Sequence, residues 1–217
     1  MALPTTDLEL VNMALAKIGH TTAVANLSTD QTPEAVAARQ FLDPCRERAF
    51  QYHGAKKGET GWRWASKQAV LVAAAGQTDE RWEYFYTPPT DMVPNTGWLW
   101  AGIPDPPPDT LAEFQVILNA AGSGKVIACN LPPVAGVSPI FVYTKLVTTV
   151  TLYPMSFVEF FTWLLAADLA MPVTRDLARR DRALLEAQYA LAVAVAAEGR
   201  GSQGYPEPYT LSRRARG

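Results

Sequence analysis

The chain contains few of the residues that most often carry enzyme chemistry. Its 217 residues include only two histidines, His20 and His53, and two cysteines, Cys45 and Cys129. No serine or cysteine stands in the G-x-S-x-G pattern of a nucleophile elbow, and the two cysteines lack the spacing of a zinc site. We therefore expect a protein that is not an enzyme and uses no cofactor or metal. Its thiols should be reduced and buried, and its histidines structural.

A surplus of basic residues is also missing. The 19 Lys and Arg residues are outnumbered by 21 Asp and Glu residues, whereas a surface built to hold nucleic acid needs clustered cations. The first residues lack the basic stretch of an export signal, so we expect synthesis in a cytoplasm. The most apolar run, residues 156–171, is shorter than a membrane span and contains Glu159 and Asp168. It predicts a buried helix.

Two helices are predicted near the start of the chain. Thr6 and Glu9 form a capping box, in which each side chain accepts a hydrogen bond from the backbone N–H of the other residue. Gly19 supplies the left-handed conformation that commonly ends a helix. Pro33 suits the first turn of a second helix, which Pro44 should kink or split. The predicted helices cover about residues 6–19 and 32–54.

Two further helices are predicted near the end of the chain. Ser156 and Glu159 form a second capping box in the sequence, and the helix that follows is apolar nearly all round, so neighbours must cover it. Pro172 should end this helix. A stripe of leucines seven residues apart suits the last helix to packing along another helix: Leu177, Leu184 and Leu191. The predicted helices cover about residues 156–171 and 174–198.

Residues 82–150 are predicted to form a small antiparallel sheet between the helices. The helical period is already lost from Gly61 onward, and Trp82, Tyr84 and Tyr86 alternate as residues on one face of a strand do. Several later runs are rich in β-branched residues and are separated by turn residues. The fold class is therefore α+β and mainly α, a helical bundle with an inserted small sheet. Residues 1–199 are expected to form one domain.

One glycine-rich segment superficially suggests a nucleotide site. Residues 122–125 read Gly-Ser-Gly-Lys, but Asn119 and Val126 stand where a phosphate loop requires glycine and Ser or Thr. The segment joins two predicted strands, so no helix N-terminus follows it to hold a phosphate. We interpret it as a hairpin turn. The proline-rich stretch Pro104 to Pro108 is a loop with no assigned role.

The last residues, 200–217, form an arm that cannot build a core of its own. Its glycines and prolines disfavour helix and strand, while Tyr205, Tyr209 and Leu211 gain by docking onto another surface. The end of the arm is basic, with Arg213, Arg214 and Arg216. These six side chains are the predicted partner-binding residues.

Two groups of residues leave alternatives open. A set of aromatic side chains suits a stacking platform for single-stranded nucleic acid, a pocket for a small ligand or carbohydrate, a packed core, or a subunit interface: Trp62, Trp64, Trp82, Tyr84, Tyr86, Trp98 and Trp100. A cluster of arginines at the start of the last helix is either a solvated face with interleaved aspartates or a surface aimed at a partner: Arg175, Arg179, Arg180 and Arg182.

Three motifs stand between these elements in a distinctive order. The first is Trp62, Trp64 and Ala65; the second is Tyr86, Pro89 and Asp91. The third lies in the apolar helix and the residues after it: Leu164, Leu165, Ala166, Leu169, Ala170, Pro172 and Thr174. In this order, with two helices before and a long helix and an arm after, the chain resembles the head-to-tail adaptor proteins of tailed bacteriophages, including the tail-tubular adaptors of short-tailed phages. The proline-rich stretch Pro104 to Pro108 departs from that pattern.

The resemblance implies a structural virion protein at the head-to-tail junction, made in the host cytoplasm. It implies a ring of about twelve copies between the portal protein and a downstream tail or neck protein, with double-stranded DNA passing through without sequence-specific binding and no membrane partner. The six arm residues would bind the portal. The alternatives are an aromatic-lined ligand-binding module and a neck protein that binds the tail side instead of the portal.

Overall fold

The computed structural model describes residues 3–53, 61–94, 96–100, 112–132 and 139–200. These ranges contain four α-helices: α1 Asp7–Lys17, α2 Pro33–Tyr52, α3 Met155–Thr174 and α4 Leu177–Arg200. They also contain seven strands: β1 Ser66–Val70, β2 Val72–Ala73, β3 Tyr84–Thr87, β4 Trp98–Trp100, β5 Phe114–Leu118, β6 Lys125–Cys129 and β7 Ile140–Thr144. With 46% helix and 18% strand, the predicted α+β class that is mainly α is confirmed.

The first two helices begin where their capping residues predict. Thr6 Oγ1 accepts from the N–H of Glu9 at 3.2 Å, and a Glu9 carboxylate oxygen accepts from the N–H of Thr6 at 3.1 Å. Gly19, just beyond α1, has the expected left-handed φ of 71°. Helix α2 begins at Pro33 and continues through Pro44 as one element. Of the two outcomes expected at Pro44, a split does not occur, and the predicted helix over about residues 32–54 is one element.

Helix α3 is the centre of the helical bundle, since α1, α2 and α4 all pack against it. Phe157, Phe161 and Leu165 in α3 are fully buried in the main core. By length and composition α3 resembles a membrane span, but 61% of its most apolar window is buried inside the protein. This burial fits the predicted core helix.

The two ends of α3 differ from the sequence-based prediction. The helix begins at Met155 after Pro154, and no side chain caps it. Ser156 therefore lies inside the first turn, and the predicted second capping box does not form. At the other end, α3 continues through Pro172 until Arg175, whose left-handed φ of 54° turns the chain. A proline in the last turn removes only one helical hydrogen bond, so it does not end the helix.

The strands form two antiparallel sheets. Strand β7 lies between β1 and β4 in a three-stranded sheet, and the other sheet has the order β2-β3-β6-β5. The sheets face each other across a second core to which Phe141 and Tyr143 contribute from β7, and Tyr86 and Ile127 from β3 and β6. The β-region is thus a small sandwich beside the helical bundle.

The sandwich differs from the predicted insert in two respects. Its first strand begins at Ser66, before the predicted start at residue 82, since the 3₁₀ turn after Trp62 leads directly into β1. Trp82 does not share a face with Tyr84 and Tyr86, because β3 begins only at Tyr84. Trp82 packs instead with Phe85 in a third, separate cluster.

The hairpin prediction for residues 122–125 is confirmed. Strands β5 and β6 pair directly on either side of this segment, with Leu118 opposite Lys125. The side chain of Asn119 holds the turn, because its Oδ1 accepts from the N–H groups of Ser123 and Gly124 at 2.9 and 3.2 Å. The proline-rich stretch Pro104 to Pro108 lies outside the described residues.

Candidate protein-interaction site

The six predicted arm residues lie outside the part of the chain that the structure describes: Tyr205, Tyr209, Leu211, Arg213, Arg214 and Arg216. The structure describes the element that carries the arm. Helix α4 continues through Gly199 to Arg200, so the arm follows directly from its last turn. The predicted helix end at Glu198 was two residues too early.

Helix α4 has an inner face of small residues and an outer face of larger ones. Ala183, Ala187, Ala190 and Ala194 are buried against the bundle. Because alanine has only a Cβ, these positions let α4 approach α3 closely along its length. Of the predicted leucine stripe, Leu184 and Leu191 pack at the edge of this core, while Leu177 is 55% exposed.

The outer face of α4 is uncharged over its second half. Leu185 and Tyr189 are 69% and 70% exposed, and Val193 is 49% exposed. Gln188, Ala192 and Ala196 complete this face, which we call the outer α4 face together with the three larger side chains. Among the residues whose side chains the structure describes, the charged ones beside this face are Asp181, Arg182 and the partly buried Glu186, all in the first half of the helix. Apolar side chains aligned on one exposed helix face are typical of a protein-binding surface.

The arginines at the start of α4 divide into two groups. Arg179 is structural, because its guanidinium reaches Asp176 at 3.1 Å and the carbonyl of Ile18 at 2.6 Å. The side chains of Arg175, Arg180 and Arg182 have no ion-pair or hydrogen-bond partner among the described residues. Arg182 also lines a cleft of about 300 Å³ between α1, α3 and α4. The start of the outer face is therefore cationic and the rest of it apolar.

The tryptophans of the first motif pack in the helical core, just before the chain enters β1. Trp62 is fully buried, and its Nε1 donates to the carbonyl of Ala49 in α2 at 3.1 Å. The rings of Trp62 and Trp64 each lie 5.0 Å from the ring of Phe157 in α3, centroid to centroid. These two aromatics belong to the core, which excludes them from an open stacking platform.

Asp91, the last residue of the second motif, fixes the same junction from the other side. Its carboxylate accepts from Lys67 Nζ in β1 and from Tyr143 Oη in β7, each at 2.7 Å. Its carbonyl accepts from the N–H of Leu146 at 2.8 Å, and the N–H of Lys145 donates to Ala65 at the same distance. The motif aspartate thus holds the chain as it passes from the sandwich back to the helices.

The ionisation of Asp91 is controlled by these contacts. Partial burial acts to raise the pKa of its carboxyl, but the hydrogen bonds from Lys67 and Tyr143 outweigh burial and hold that pKa below its usual range. Burial, followed by the hydrogen bond to Asp91, raises the pKa of Tyr143 to about 12. The hydrogen bond to Asp91 raises the pKa of Lys67. At neutral pH the group is therefore an anion held by a cation and a neutral phenol.

The two histidines and the two cysteines, the usual candidates for catalysis or ligand binding, either contact other side chains or are buried. His20 Nε2 lies 3.0 Å from Glu34 Oε1, and the ring of His53 packs edge-on against Trp62. Cys45 and Cys129 are free and buried, and burial is the main cause that raises the pKa of each thiol. In the described ranges, no group of three or more His, Cys, Asp or Glu residues is arranged to hold a metal ion.

Two of the sandwich aromatics considered for a pocket, Tyr86 and Trp82, are buried. Tyr86 is 2% exposed and Trp82 is 5% exposed. The backbone of Trp100 lies in β4, and Trp98 takes part in further contacts. Of the alternatives that the sequence left open for these aromatics, Tyr86 and Trp82 therefore follow the packed core.

No protein-family model matches this chain, and no curated protein matches it at a significant level.

Sequence reasoning missed the outer α4 face and the role of Asp91. The outer face was detectable, because Leu185, Tyr189 and Val193 follow one another at four-residue intervals without an intervening charge on that side. The contacts of Asp91 were not detectable, since Lys67 and Tyr143 are distant in sequence and meet it only through the pairing of β1 with β7.

Proposed function

We propose that this chain is a structural head-to-tail adaptor of a tailed bacteriophage. Copies of it form a ring that joins the portal to the tail and surrounds the path of the DNA. The protein has no catalytic role in this proposal. Its arm, residues 200–217, binds the portal, and the sandwich faces the downstream tail or neck protein or the neighbouring subunit.

One observation carries the proposal: a long helix with an uncharged outer face leads directly into the arm. Leu185, Tyr189 and Val193 are exposed along α4, and the helix ends at Arg200. A subunit of a ring needs surface for its neighbours, and an arm at the end of a rigid helix can reach a partner beyond the ring. In this proposal the outer α4 face contacts the neighbouring subunit, and the arm that follows α4 in the chain reaches the portal.

The charge distribution supports a conduit more than a DNA-binding protein. The whole chain has a formal charge of −2, so a lumen lined by it would not hold the phosphate backbone strongly. Basic residues concentrate instead at the start of α4 and in the arm. The arm arginines, Arg213, Arg214 and Arg216, suit an acidic surface on a protein partner.

Because a ring carries several copies of the arm, each arm can bind the portal weakly. A segment that orders only on binding has reduced affinity, because ordering it costs conformational entropy. A ring presents many arms to one portal, which raises the effective concentration of each arm after the first has bound. The proposal therefore requires no high affinity from an individual arm.

Removal of the arm tests this function. A chain truncated after Arg200 should retain its fold, because the described core lies before that residue, and should lose most of its binding to the cognate portal. Binding is measured by sedimentation of mixtures, with circular dichroism as the check on folding. A chain with Arg213, Arg214 and Arg216 changed to alanine is the matched control, which should bind more weakly and with reduced dependence on salt. Unchanged portal binding by the truncated chain would show that the arm is not the portal-binding element.

A further inference from the structure

The outer face of α2 complements the outer face of α4 on the same chain. Val36 is 46% exposed, and Gln40, Pro44 and Glu47 also point to solvent. Asp7 and Asp43 hold Arg46 on the inner side of this helix. Glu47 has no hydrogen-bond or ion-pair partner among the described residues. The outer α2 face is therefore mixed apolar and polar along most of its length and acidic near its end.

The two faces match position by position when the helices run antiparallel. Glu47 then lies opposite Arg182, Pro44 opposite Leu185, and Gln40 opposite Tyr189. Val36 lies opposite Val193 at the far end. The steps between consecutive positions are three, four and four on both helices, so each partner stays on the facing side. The match brings the carboxylate of Glu47 to the guanidinium of Arg182, Pro44 to Leu185 and Val36 to Val193, while the polar Gln40 lies against Tyr189.

We propose that α4 of one copy packs antiparallel against α2 of a second copy through these two faces. The contact is heterologous, because the two faces are different surfaces of the chain. Such a contact continues from copy to copy and closes into a ring if the rotation allows. The inference rests on the proposed ring and identifies the surfaces that join its subunits.

Charge and composition favour a second copy over other occupants. The aromatic and aliphatic centre, Leu185, Tyr189 and Val193, has the composition enriched in protein interfaces, and the charged residues beside it, Asp181, Arg182 and Glu186, lie toward the start of α4. At that end Glu47 of the second copy lies opposite Arg182 at the required spacing and adds an opposite charge. An α4–α4 contact in antiparallel register around Tyr189 would place Arg182 opposite Ala196 and leave its charge unpaired.

Cysteine crosslinking tests the contact directly. A Val36→Cys chain mixed with a Val193→Cys chain should form a disulfide-linked dimer on mild oxidation. The native Cys45 and Cys129 are 1% and 0% exposed, so they do not compete. The matched control mixes Val193→Cys with Leu118→Cys on the sandwich, which is 65% exposed against 46% for Val36, and should crosslink at least about tenfold less.

Charge reversal distinguishes the specific register from random collision. Arg182→Glu or Glu47→Arg, introduced into both crosslinking partners, should lower the yield about tenfold, because each change turns an attraction into a repulsion. Placing both reversals in the same chains should restore the yield. A Val36–Val193 yield no higher than the control overturns the proposal, as does equal crosslinking of Val193→Cys with itself. No portal is present in this experiment, so failure of the portal-binding function does not affect its outcome.

Discussion

At the scale of single residues, Asp91 shows how a short motif can fix the arrangement of two structural units. Its carboxylate joins β1 to β7 through Lys67 and Tyr143, and its carbonyl holds Leu146 on the way to α3. Hydrogen bonds to a charged group are stronger than those between neutral groups. The side chain of Asp91 is 28% exposed, so water screens part of this interaction.

Changing Asp91 to asparagine should lower the free energy of unfolding by about 1–3 kcal/mol at pH 7. Asparagine keeps the size of the side chain but loses the negative charge that holds Lys67. Urea denaturation followed by circular dichroism measures the difference. Glu80→Gln is the matched control, since Glu80 is exposed and unpaired among the described residues, and it should change stability by less than about 0.5 kcal/mol.

The effect of Asp91→Asn should also depend on pH. Because the pKa of Asp91 is lowered in the folded protein, its stabilising contribution is present above the ordinary carboxyl pKa. It is lost as pH falls through the folded-state pKa. The stability difference between the wild type and Asp91→Asn should therefore narrow between about pH 5 and pH 2. A difference that stayed constant over this range would show that the charge of Asp91 contributes nothing.

At the scale of elements, the sequence predicted the presence of the helices better than the residues at which they begin and end. The capping box at Thr6 and Glu9 forms because α1 begins at the next residue. The same pattern at Ser156 and Glu159 fails because α3 begins one residue earlier, and Glu159 pairs instead with Lys17 at 2.5 Å. Whether such a motif caps a helix depends on where tertiary packing starts the helix, which the local sequence does not contain.

The sandwich was less predictable than the bundle for a related reason. Alternation gave the strand character of residues 84–87, and β-branched residues between turns gave that of residues 114–118 and 125–129. The pairing of β1 with β7, however, joins residues far apart in the chain. Local patterns cannot specify such partners. The arm stays a prediction from Gly201, Gly204 and the prolines, since these residues lie outside the described ranges. The outer α4 face required knowledge of which side of the helix packs on α3.

The two faces of α4 should respond differently to the same substitution. Ala187→Leu enlarges a buried side chain at the contact with α3 and should destabilise the protein by about 1–3 kcal/mol. Ala192→Leu adds the same atoms to the outer α4 face, where solvent has room for them, and should change stability by less than about 0.5 kcal/mol. Thermal denaturation of both variants checks the prediction. Equal destabilisation would mean that the outer face is also packed.

At the scale of the whole molecule, the helical bundle and the sandwich have distinct cores. The chain passes between them at the turn after Trp62 and at Leu146, which Asp91 holds. In our account, the outer faces of α2 and α4 meet neighbouring copies. The arm reaches the portal, and the sandwich remains available to the tail. Val70 and Val72, exposed at the edge strands of the sandwich, are apolar side chains that a tail-side partner could cover.

The most direct test is the mass of the complex between the full chain and its cognate portal. Native mass spectrometry or light scattering of the purified complex gives the number of copies bound. We predict a closed set of copies on each portal ring, with no such complex formed by the chain truncated after Arg200. A single bound copy, or no binding by the full chain, would contradict the adaptor function.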